Sequence, residues 1–279
     1  MEFYRDIDEL PSSITINMVE GQAGVRISRP LSNDKPKILV GVRANGTQVV
    51  IKLLFTRIDD ARPLAVREGE VEHEVECCTK LALADRRIAL VPSEVVVLDA
   101  AQEFAGQTHR RGKFRALLMP RYLDPIARGP TFPIMVITRE ARRLFDALQY
   151  MHRVAGFVHM DVKGDSVFYD NSSAWFLGDF GSACKVGDKI RTSTPTFYHG
   201  DMDGVAHPRY DWFMLLVLLL IEMGGKNKNK WRLRFVDSGQ GRVSYDKVMR
   251  EAERAMSDES YPPELQSVIS DIKDSYQSS

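Results

Sequence analysis

Short apolar runs separated by turn residues characterise the first half of the chain. They predict strands at 13–16, 25–28, 38–43, 47–55, 91–98 and 114–119. Asn45-Gly46 joins two of these runs and favours a hairpin, because this pair readily adopts the left-handed backbone of a tight turn. A charged, helically periodic segment predicts a helix over 66–83, and the polar stretch 101–113 predicts an exposed loop.

The second half follows the 3.6-residue period of helices. An apolar stripe predicts an amphipathic helix over 138–154, and the almost wholly apolar run 211–223 predicts a buried helix. That run is too short to cross a membrane, which takes about 20 apolar residues. A last amphipathic helix is predicted over 264–276, with one face made of Leu265, Val268, Ile269 and Ile272. A sheet-rich part followed by a helix-rich part predicts an α+β fold.

Composition narrows the class of protein. The charge is balanced, with 38 Lys+Arg against 38 Asp+Glu, which argues against a generally basic nucleic-acid binder. Three cysteines form an odd, sparse set that favours a reducing compartment over a disulfide scaffold. The N-terminus carries acidic residues and lacks the apolar core of a signal peptide. We therefore expect an intracellular protein, cytoplasmic or nuclear and monomeric, without a membrane span.

The stretch 156–181 carries the most informative chemistry. Asp161 stands two residues before Lys163, and Asp179 follows a pair of predicted strands at 166–169 and 174–177. A hairpin of these strands brings two carboxylates to one site. Phosphoryl transfer from a nucleotide needs such a set: one carboxylate orients the acceptor hydroxyl, another holds Mg²⁺, and a cation neutralises phosphate charge.

These residues resemble motifs of the eukaryotic-type protein kinase superfamily. His159-Met160-Asp161-Val162-Lys163 is similar to the catalytic loop H-R-D-L-K, and Asp179-Phe180-Gly181 is the D-F-G element. Val49-Val50-Ile51-Lys52 resembles V-A-I-K, and the segment 117–122 resembles the last strand and hinge that contact the nucleotide. Thr194-Pro195 resembles the end of an activation segment, and Asp211-Trp212 the start of a buried helix. Order and spacing hold from about residue 38 to 224.

The resemblance implies a bilobal protein-kinase-like fold of the α+β class. It places a β-rich N-lobe with one helix at 1–119 and a shortened, α-helical C-lobe at 120–279. It also implies ATP and Mg²⁺ as ligands and a protein substrate. Lys163 resembles the lysine of Ser/Thr kinases, so the expected acceptors are Ser and Thr hydroxyls.

The same resemblance assigns roles to individual residues. Asp161 and Lys163 are the expected catalytic residues, with Asp161 orienting the acceptor hydroxyl and Lys163 stabilising the transferred group. Asp179 and Ser166 are the expected metal ligands. His159 and Asp211 are expected to be structural, Asp211 as a buried acid bonded to the catalytic-loop backbone. The expected ATP-binding residues are Lys52, Glu74, Val50, Met119 and Tyr122.

Glu74 is the expected partner of Lys52, although Glu70, Glu72 and Glu76 lie close to it in the sequence. The alternative is that these neighbouring acids form a solvated face of the helix.

Several positions depart from the family pattern. The segment 31–37 contains no glycine where a Gly-rich loop is expected, and Ser166 replaces the asparagine that binds a second Mg²⁺. Met160 replaces an arginine, so control by activation-loop phosphorylation is not expected. Val50 replaces an alanine, and His199-Gly200-Asp201 stands where A-P-E is expected.

These departures keep two alternatives open: a pseudokinase acting as a nucleotide-binding or scaffolding module, and a small-molecule kinase of the aminoglycoside or choline type. Retention of Lys52, Asp161, Lys163 and Asp179 favours an active enzyme. The basic segment 226–234 is interpreted as a solvated loop in preference to a site for an acidic partner or nucleic acid.

Overall fold

The computed structural model describes residues 20–21, 23–30, 38–54, 64–100, 103–104, 107–108, 112–190, 204–236 and 242–279. The chain divides into two compact units. One unit contains the described residues up to Leu83 together with Val91–Arg121, and the other contains Ala84–Leu90 and the described residues from Tyr122 onward. Four sequence features lie outside the described residues: the predicted strand at 13–16, the segment 31–37, Thr194-Pro195 and His199-Gly200-Asp201.

The described part of the first unit is mainly a β-sheet, and a long helix lies between its third and fourth strands along the chain. Its elements are β1 (Val25–Pro30), β2 (Ile38–Arg43), β3 (Gln48–Leu54), α1 (Leu64–Leu81), β4 (Glu94–Ala100), β5 (Glu103–Phe104), β6 (Gln107–Thr108) and β7 (Gly112–Pro120). Five of the strands form an antiparallel sheet in the order β1-β2-β3-β7-β4. The strands predicted from 25–119 and the helix are confirmed, with boundary shifts of a few residues. The predicted loop at 101–113 in fact contains the paired strands β5 and β6.

The hairpin between β2 and β3 forms as Asn45-Gly46 predicts. Gly46 has a φ of 82°, a left-handed conformation in which a side chain is strained. The Asn45 side-chain oxygen accepts a hydrogen bond from the Thr47 amide at 3.0 Å, which closes the turn. The turn fixes the register of β2 on β3, and that register decides which residues of β3 share a face.

Alternation along β3 separates two faces of the sheet. One face carries a buried apolar cluster, which contains Val25, Leu39, Val49, Ile51, Leu53, Ala116 and Leu118. On the opposite face, Val50 is in register with Met119 and Lys52 with Leu117. Cross-strand partners point to the same side of a sheet, so Val50, Lys52 and Met119 share one face. Lys52, the one lysine of β3, therefore lies on the face of the sheet opposite the buried apolar cluster.

The second unit is mainly helical. Its elements are β8 (Asp124–Pro125), α2 (Ile134–Tyr150), β9 (Phe157–Val158), β10 (Val167–Tyr169), β11 (Trp175–Leu177), β12 (Cys184–Lys185), α3 (Pro208–Met223), α4 (Lys228–Phe235), α5 (Tyr245–Ser257) and α6 (Pro263–Ser278). A π-helical turn, Met151–Ala155, continues α2. The predicted hairpin of β10 and β11 is confirmed by their antiparallel register.

Helix α3 forms the centre of this unit and is buried along most of its length, as its apolar run predicts. Helices α2 and α6 pack against it. The four residues predicted for the inner face of α6 are all buried, and so is the predicted stripe of α2. Helix α2 begins at Ile134, four residues before its predicted start. No helix in the described ranges is both long enough and apolar enough to cross a membrane.

The interpretation of 226–234 as a solvated loop is wrong, because Lys228–Phe235 forms helix α4. The segment lacks an apolar period, so periodicity alone does not reveal it. The helix is held by a few anchors instead: Phe235 is buried, and the Trp231 ring contacts it edge-on at 6.3 Å between centroids.

A buried carboxylate connects α2 to β11. Glu140 is fully buried and accepts a hydrogen bond from the Trp175 amide at 2.9 Å. Its oxygens also pair with Arg139 and Arg143. Since β11 leads directly to Asp179, this cluster fixes the strand that delivers a predicted metal ligand.

We expect Glu140→Ala to lower the free energy of unfolding by about 3 kcal/mol, because it leaves two arginines and a buried amide without their acceptor. Urea denaturation followed by circular dichroism measures the change. The exposed Glu259 provides a matched control, and Glu259→Ala should change stability by less than about 0.5 kcal/mol. Equal effects of the two substitutions would contradict a structural role for Glu140.

Candidate active site

The lysine predicted to contact ATP forms an ion pair within the first unit. Lys52 Nζ lies 2.7 Å from Glu74 Oε1, joining β3 to α1. Glu74 is buried, with 7% of its surface exposed, whereas the Lys52 side chain retains 23% exposure. A buried carboxylate therefore orients an ammonium group that solvent or a ligand can still reach.

The neighbouring acids of α1 have other partners. Glu72 pairs with Arg115 of β7, and Glu76 lies 3.5 Å from Lys80 one turn along the helix. Of the glutamates whose side chains the structure describes in α1, Glu74 is the one that meets Lys52. The sequence offers four acids at similar distances, and the tertiary contact selects among them.

The remaining predicted ATP contacts occupy different units. Val50 and Met119 lie in register on the face of the sheet that also carries Lys52. Tyr122 belongs to the second unit, where its ring packs on Phe176 at 4.8 Å and on Phe168 at 6.3 Å between centroids. Burial raises the pKa of the Tyr122 phenol well above its usual value.

Asp161 and Lys163 form a second ion pair, in the loop between β9 and β10. Lys163 Nζ lies 2.8 Å from Asp161 Oδ2. Asp161 is buried with 8% of its surface exposed, and the Lys163 side chain keeps 22% exposure. A buried carboxylate and a partly exposed ammonium group thus stand side by side.

His159 is a packed histidine that holds this loop, as predicted. Its Nδ1 accepts a hydrogen bond from the Asp161 amide at 3.3 Å, which leaves Nε2 to donate to the Gly178 carbonyl at 2.9 Å. The imidazole is fully buried and contacts the Phe180 ring edge-on at 5.5 Å. One side chain therefore connects the Asp161 loop to the backbone that precedes Asp179.

Asp211, at the first turn of α3, anchors the same loop. Its Oδ2 accepts the His159 amide at 2.6 Å, and its Oδ1 accepts the Met160 amide at 2.8 Å. This contact confirms the prediction of a buried acid bonded to the loop backbone. His152 Nε2 lies 2.8 Å from Oδ2 and adds a third partner. No motif singles out His152, since a histidine in an amphipathic helix gives no signal of its tertiary contact.

The backbone of Met160 has a φ of 64°, which costs a non-glycine residue free energy. Its side chain is fully buried. The bond from the Met160 amide to Asp211 therefore compensates for local strain next to Asp161.

Ser166 is fully buried at the end of the same loop. Its carbonyl accepts a hydrogen bond from the Gly178 amide at 2.8 Å, so it is linked to the residue before Asp179. Its Oγ is buried and has no hydrogen-bond partner among the described residues. An orphaned buried hydroxyl normally carries a free-energy penalty, and a bound cation would remove it.

Asp179 is exposed and has the left-handed backbone φ 58°, ψ 64°. Phe180, the next residue, is buried and starts a 3₁₀ turn, Phe180–Ser182. The buried ring anchors the chain directly after Asp179, whose left-handed backbone makes the turn between β11 and the 3₁₀ turn. Among the described residues, no cluster of three or more His, Cys, Asp or Glu side chains could hold a metal ion. Any metal bound here therefore needs additional oxygen ligands such as a hydroxyl, water or phosphate.

Comparison with known proteins finds similarity to proteins named serine/threonine-protein kinases. No family model matches the chain. A serine/threonine-protein kinase US3 homolog of Gallid herpesvirus 2 is 37% identical over 87 residues, covering 29% of this chain and 21% of the viral protein. Serine/threonine-protein kinase US3 of human herpesvirus 1 is 32% identical over 85 residues, covering 30% of this chain and 16% of that protein.

A longer similarity extends to a bacterial protein. Serine/threonine-protein kinase PknL of Mycobacterium tuberculosis is 26% identical over 217 residues, which cover 72% of this chain and 52% of PknL. The chain thus matches about half of PknL and a smaller part of each viral relative.

We expect Asp211→Asn to lower the free energy of unfolding by about 3 kcal/mol. The NH₂ group of the asparagine side chain would face an N–H donor whose hydrogen bond the carboxylate now accepts, and that donor would lose its partner. Thermal and urea denaturation measure the loss. Asp165 is an exposed aspartate of the same loop, and Asp165→Asn should leave stability unchanged. Wild-type stability of Asp211→Asn would show that the three bonds to Asp211 are dispensable.

The left-handed backbone of Asp179 predicts an unusual order of stability. Asp179→Gly should be more stable than Asp179→Ala by about 1 kcal/mol, because alanine is strained in this conformation and glycine is not. Both variants lack the carboxylate, so the difference between their free energies of unfolding, measured by urea denaturation, reports the backbone effect alone. At Ser182, within the 3₁₀ turn, the same pair of substitutions should give the opposite order. An alanine variant at 179 as stable as the glycine variant would argue against the strain.

Proposed function

We propose that this chain, which is related to the protein kinase superfamily, transfers the γ-phosphoryl group of ATP to Ser or Thr hydroxyls of a protein. The mixed α+β architecture, with an antiparallel sheet followed by helices, is consistent with a kinase-like fold. The observation that carries the proposal is the Asp161–Lys163 pair, on a loop whose backbone is fixed by Asp211.

Asp161 is proposed to act on the acceptor. Its carboxylate accepts the hydrogen of the incoming hydroxyl and aligns that oxygen with the γ-phosphorus. A bond forms between the acceptor oxygen and phosphorus while the bond to the bridging oxygen breaks, and ADP leaves. Lys163, 2.8 Å from Asp161, supplies positive charge to the non-bridging oxygens as their charge develops.

Asp179 and Ser166 fit the ligand chemistry of Mg²⁺. Hard divalent cations prefer oxygen ligands, and the Asp179 carboxylate and the buried Ser166 hydroxyl both supply oxygen. A bound Mg²⁺ would neutralise charge on the phosphates. Serine is shorter than the asparagine of related proteins and binds magnesium more weakly, so a reduced magnesium affinity is part of the proposal.

The first unit is proposed to bind the rest of the nucleotide. Lys52, oriented by Glu74, contacts the α- and β-phosphates, and Val50 and Met119 supply apolar contact with adenine. Tyr122 is proposed as a further contact. The buried Glu74 is proposed to hold the partly exposed Lys52 side chain in the position from which it contacts these phosphates.

The activity test uses purified chain, magnesium and radiolabelled ATP, with casein as a generic acceptor protein. We expect Asp161→Asn to lower kcat by about 10²- to 10⁴-fold, because it removes the group that accepts the hydroxyl proton. Asp165→Asn is the matched control and should retain activity. Binding of ATP, measured by thermal shift, should persist in Asp161→Asn, since this residue acts on the acceptor.

The same assay separates the alternatives. Absence of transfer by the wild type, combined with a nucleotide-dependent rise in melting temperature, would contradict the enzyme and favour a pseudokinase. Transfer to choline or an aminoglycoside but not to protein would favour a small-molecule kinase. Absence of both transfer and a thermal shift would overturn nucleotide binding altogether.

A further inference from the structure

Helix α4 is anchored to the second unit along one side. Lys228 Nζ lies 3.6 Å from Glu222 Oε2 and donates a hydrogen bond to the Ile126 carbonyl at 2.8 Å. The Trp231 ring packs directly on Gly224, where an added Cβ would lie 2.5 Å from its Cγ. Phe235 is buried. Residues 228, 231 and 235 follow the i, i+3, i+7 spacing of a single helical face.

The opposite face of α4 points to solvent and is basic with an apolar centre. Leu233 lies there with 72% of its surface exposed. Lys230, three residues earlier, lies beside it on the helix surface and is also exposed. Arg234 is exposed as well and lies to one side of this face, over the Trp231 ring. Lys226, in the 3₁₀ turn before the helix, and Arg232 extend the cationic surface. We call Lys226, Lys230, Arg232, Leu233 and Arg234 the α4 basic surface.

The α4 basic surface is not neutralised by the described part of the chain. The segment 224–236 contains no acidic residue, and the one lysine there with an ion pair is Lys228, on the anchored side. None of the four cations of the surface has an ion pair with a described acidic side chain. In a chain whose net charge is zero, this is a local excess of positive charge.

Helix stability explains only part of this charge. Arg232 and Arg234 lie in the last turn, where cations interact favourably with the helix dipole, and Arg234 also lies over the Trp231 ring at 5.2 Å. Lys226 and Lys230 lie before and within the first turn, where the dipole disfavours positive charge. These lysines therefore oppose helix formation, and their placement needs another explanation.

We propose that the α4 basic surface binds an acidic segment of a partner protein. The acidic side chains of that segment contact the cations of the surface, and one of its apolar side chains packs on Leu233. Cations flanking an exposed leucine complement a peptide that alternates acidic and apolar residues. A nucleic-acid backbone offers phosphates but no apolar side chain for Leu233. The surface involves none of the residues assigned to phosphoryl transfer.

The test measures fluorescence anisotropy of a fluorescein-labelled peptide in which pairs of glutamates alternate with single leucines. We expect wild-type chain to bind it, with affinity falling as salt rises. Lys230→Glu should weaken binding about tenfold through repulsion, and Leu233→Ser about fivefold through lost apolar contact. Arg86→Glu, at an exposed arginine outside α4, makes the same change in net charge and should bind as the wild type does.

Lys230→Glu should also melt at or above the wild-type temperature, since it places an acid near the start of the helix. Weakened binding then cannot be attributed to unfolding. The proposal is overturned if the wild type does not bind the peptide, or if Lys230→Glu and Arg86→Glu bind equally. It is also overturned if oligothymidylate of equal charge binds at least as tightly and Leu233→Ser has no effect. Binding by the Asp161→Asn variant should equal that of the wild type, so the result does not depend on catalysis.

Discussion

The Asp211 carboxylate holds the candidate site together. It accepts two successive backbone amides, those of His159 and Met160, and contacts the His152 ring. All of these groups are buried, so an N–H group left without a hydrogen-bond acceptor would lower the stability of the fold by its full desolvation free energy. The bonds keep Met160 in a left-handed backbone and thereby set the position of Asp161. Helix α3, which is the apolar centre of its unit, therefore also determines the geometry of a polar loop.

The motif residues and the main elements could be predicted from the sequence because their signals are local. Asn45-Gly46 marks a turn whatever surrounds it, and the spacing from Asp161 to Asp179 encloses a hairpin that the structure contains. Helix α2 is predicted equally well, because its apolar residues recur at the 3.6-residue period of a helix. In these cases a few neighbouring residues carry the information that specifies the structure.

The remaining features depend on contacts between distant residues. Glu140 supports β11 through the Trp175 amide, thirty-five residues away, and nothing near it in the sequence distinguishes it from a solvated acid. His152 meets Asp211 across fifty-nine residues. Helix α4 has too few apolar residues to show a helical period. It is held by the Trp231 ring, which packs on Gly224 outside the helix and on Phe235 one turn later, and by burial of Phe235. Sequence periodicity does not contain such long-range pairings.

The backbone of Asp179 has a consequence for how this chain can vary. The residues that best tolerate a left-handed backbone are glycine, asparagine and aspartate, and the codons of asparagine and glycine each differ from those of aspartate by one base. A single mutation can therefore replace the carboxylate without strain in the turn. At this position a change in side-chain chemistry therefore requires no change in the backbone conformation of the turn.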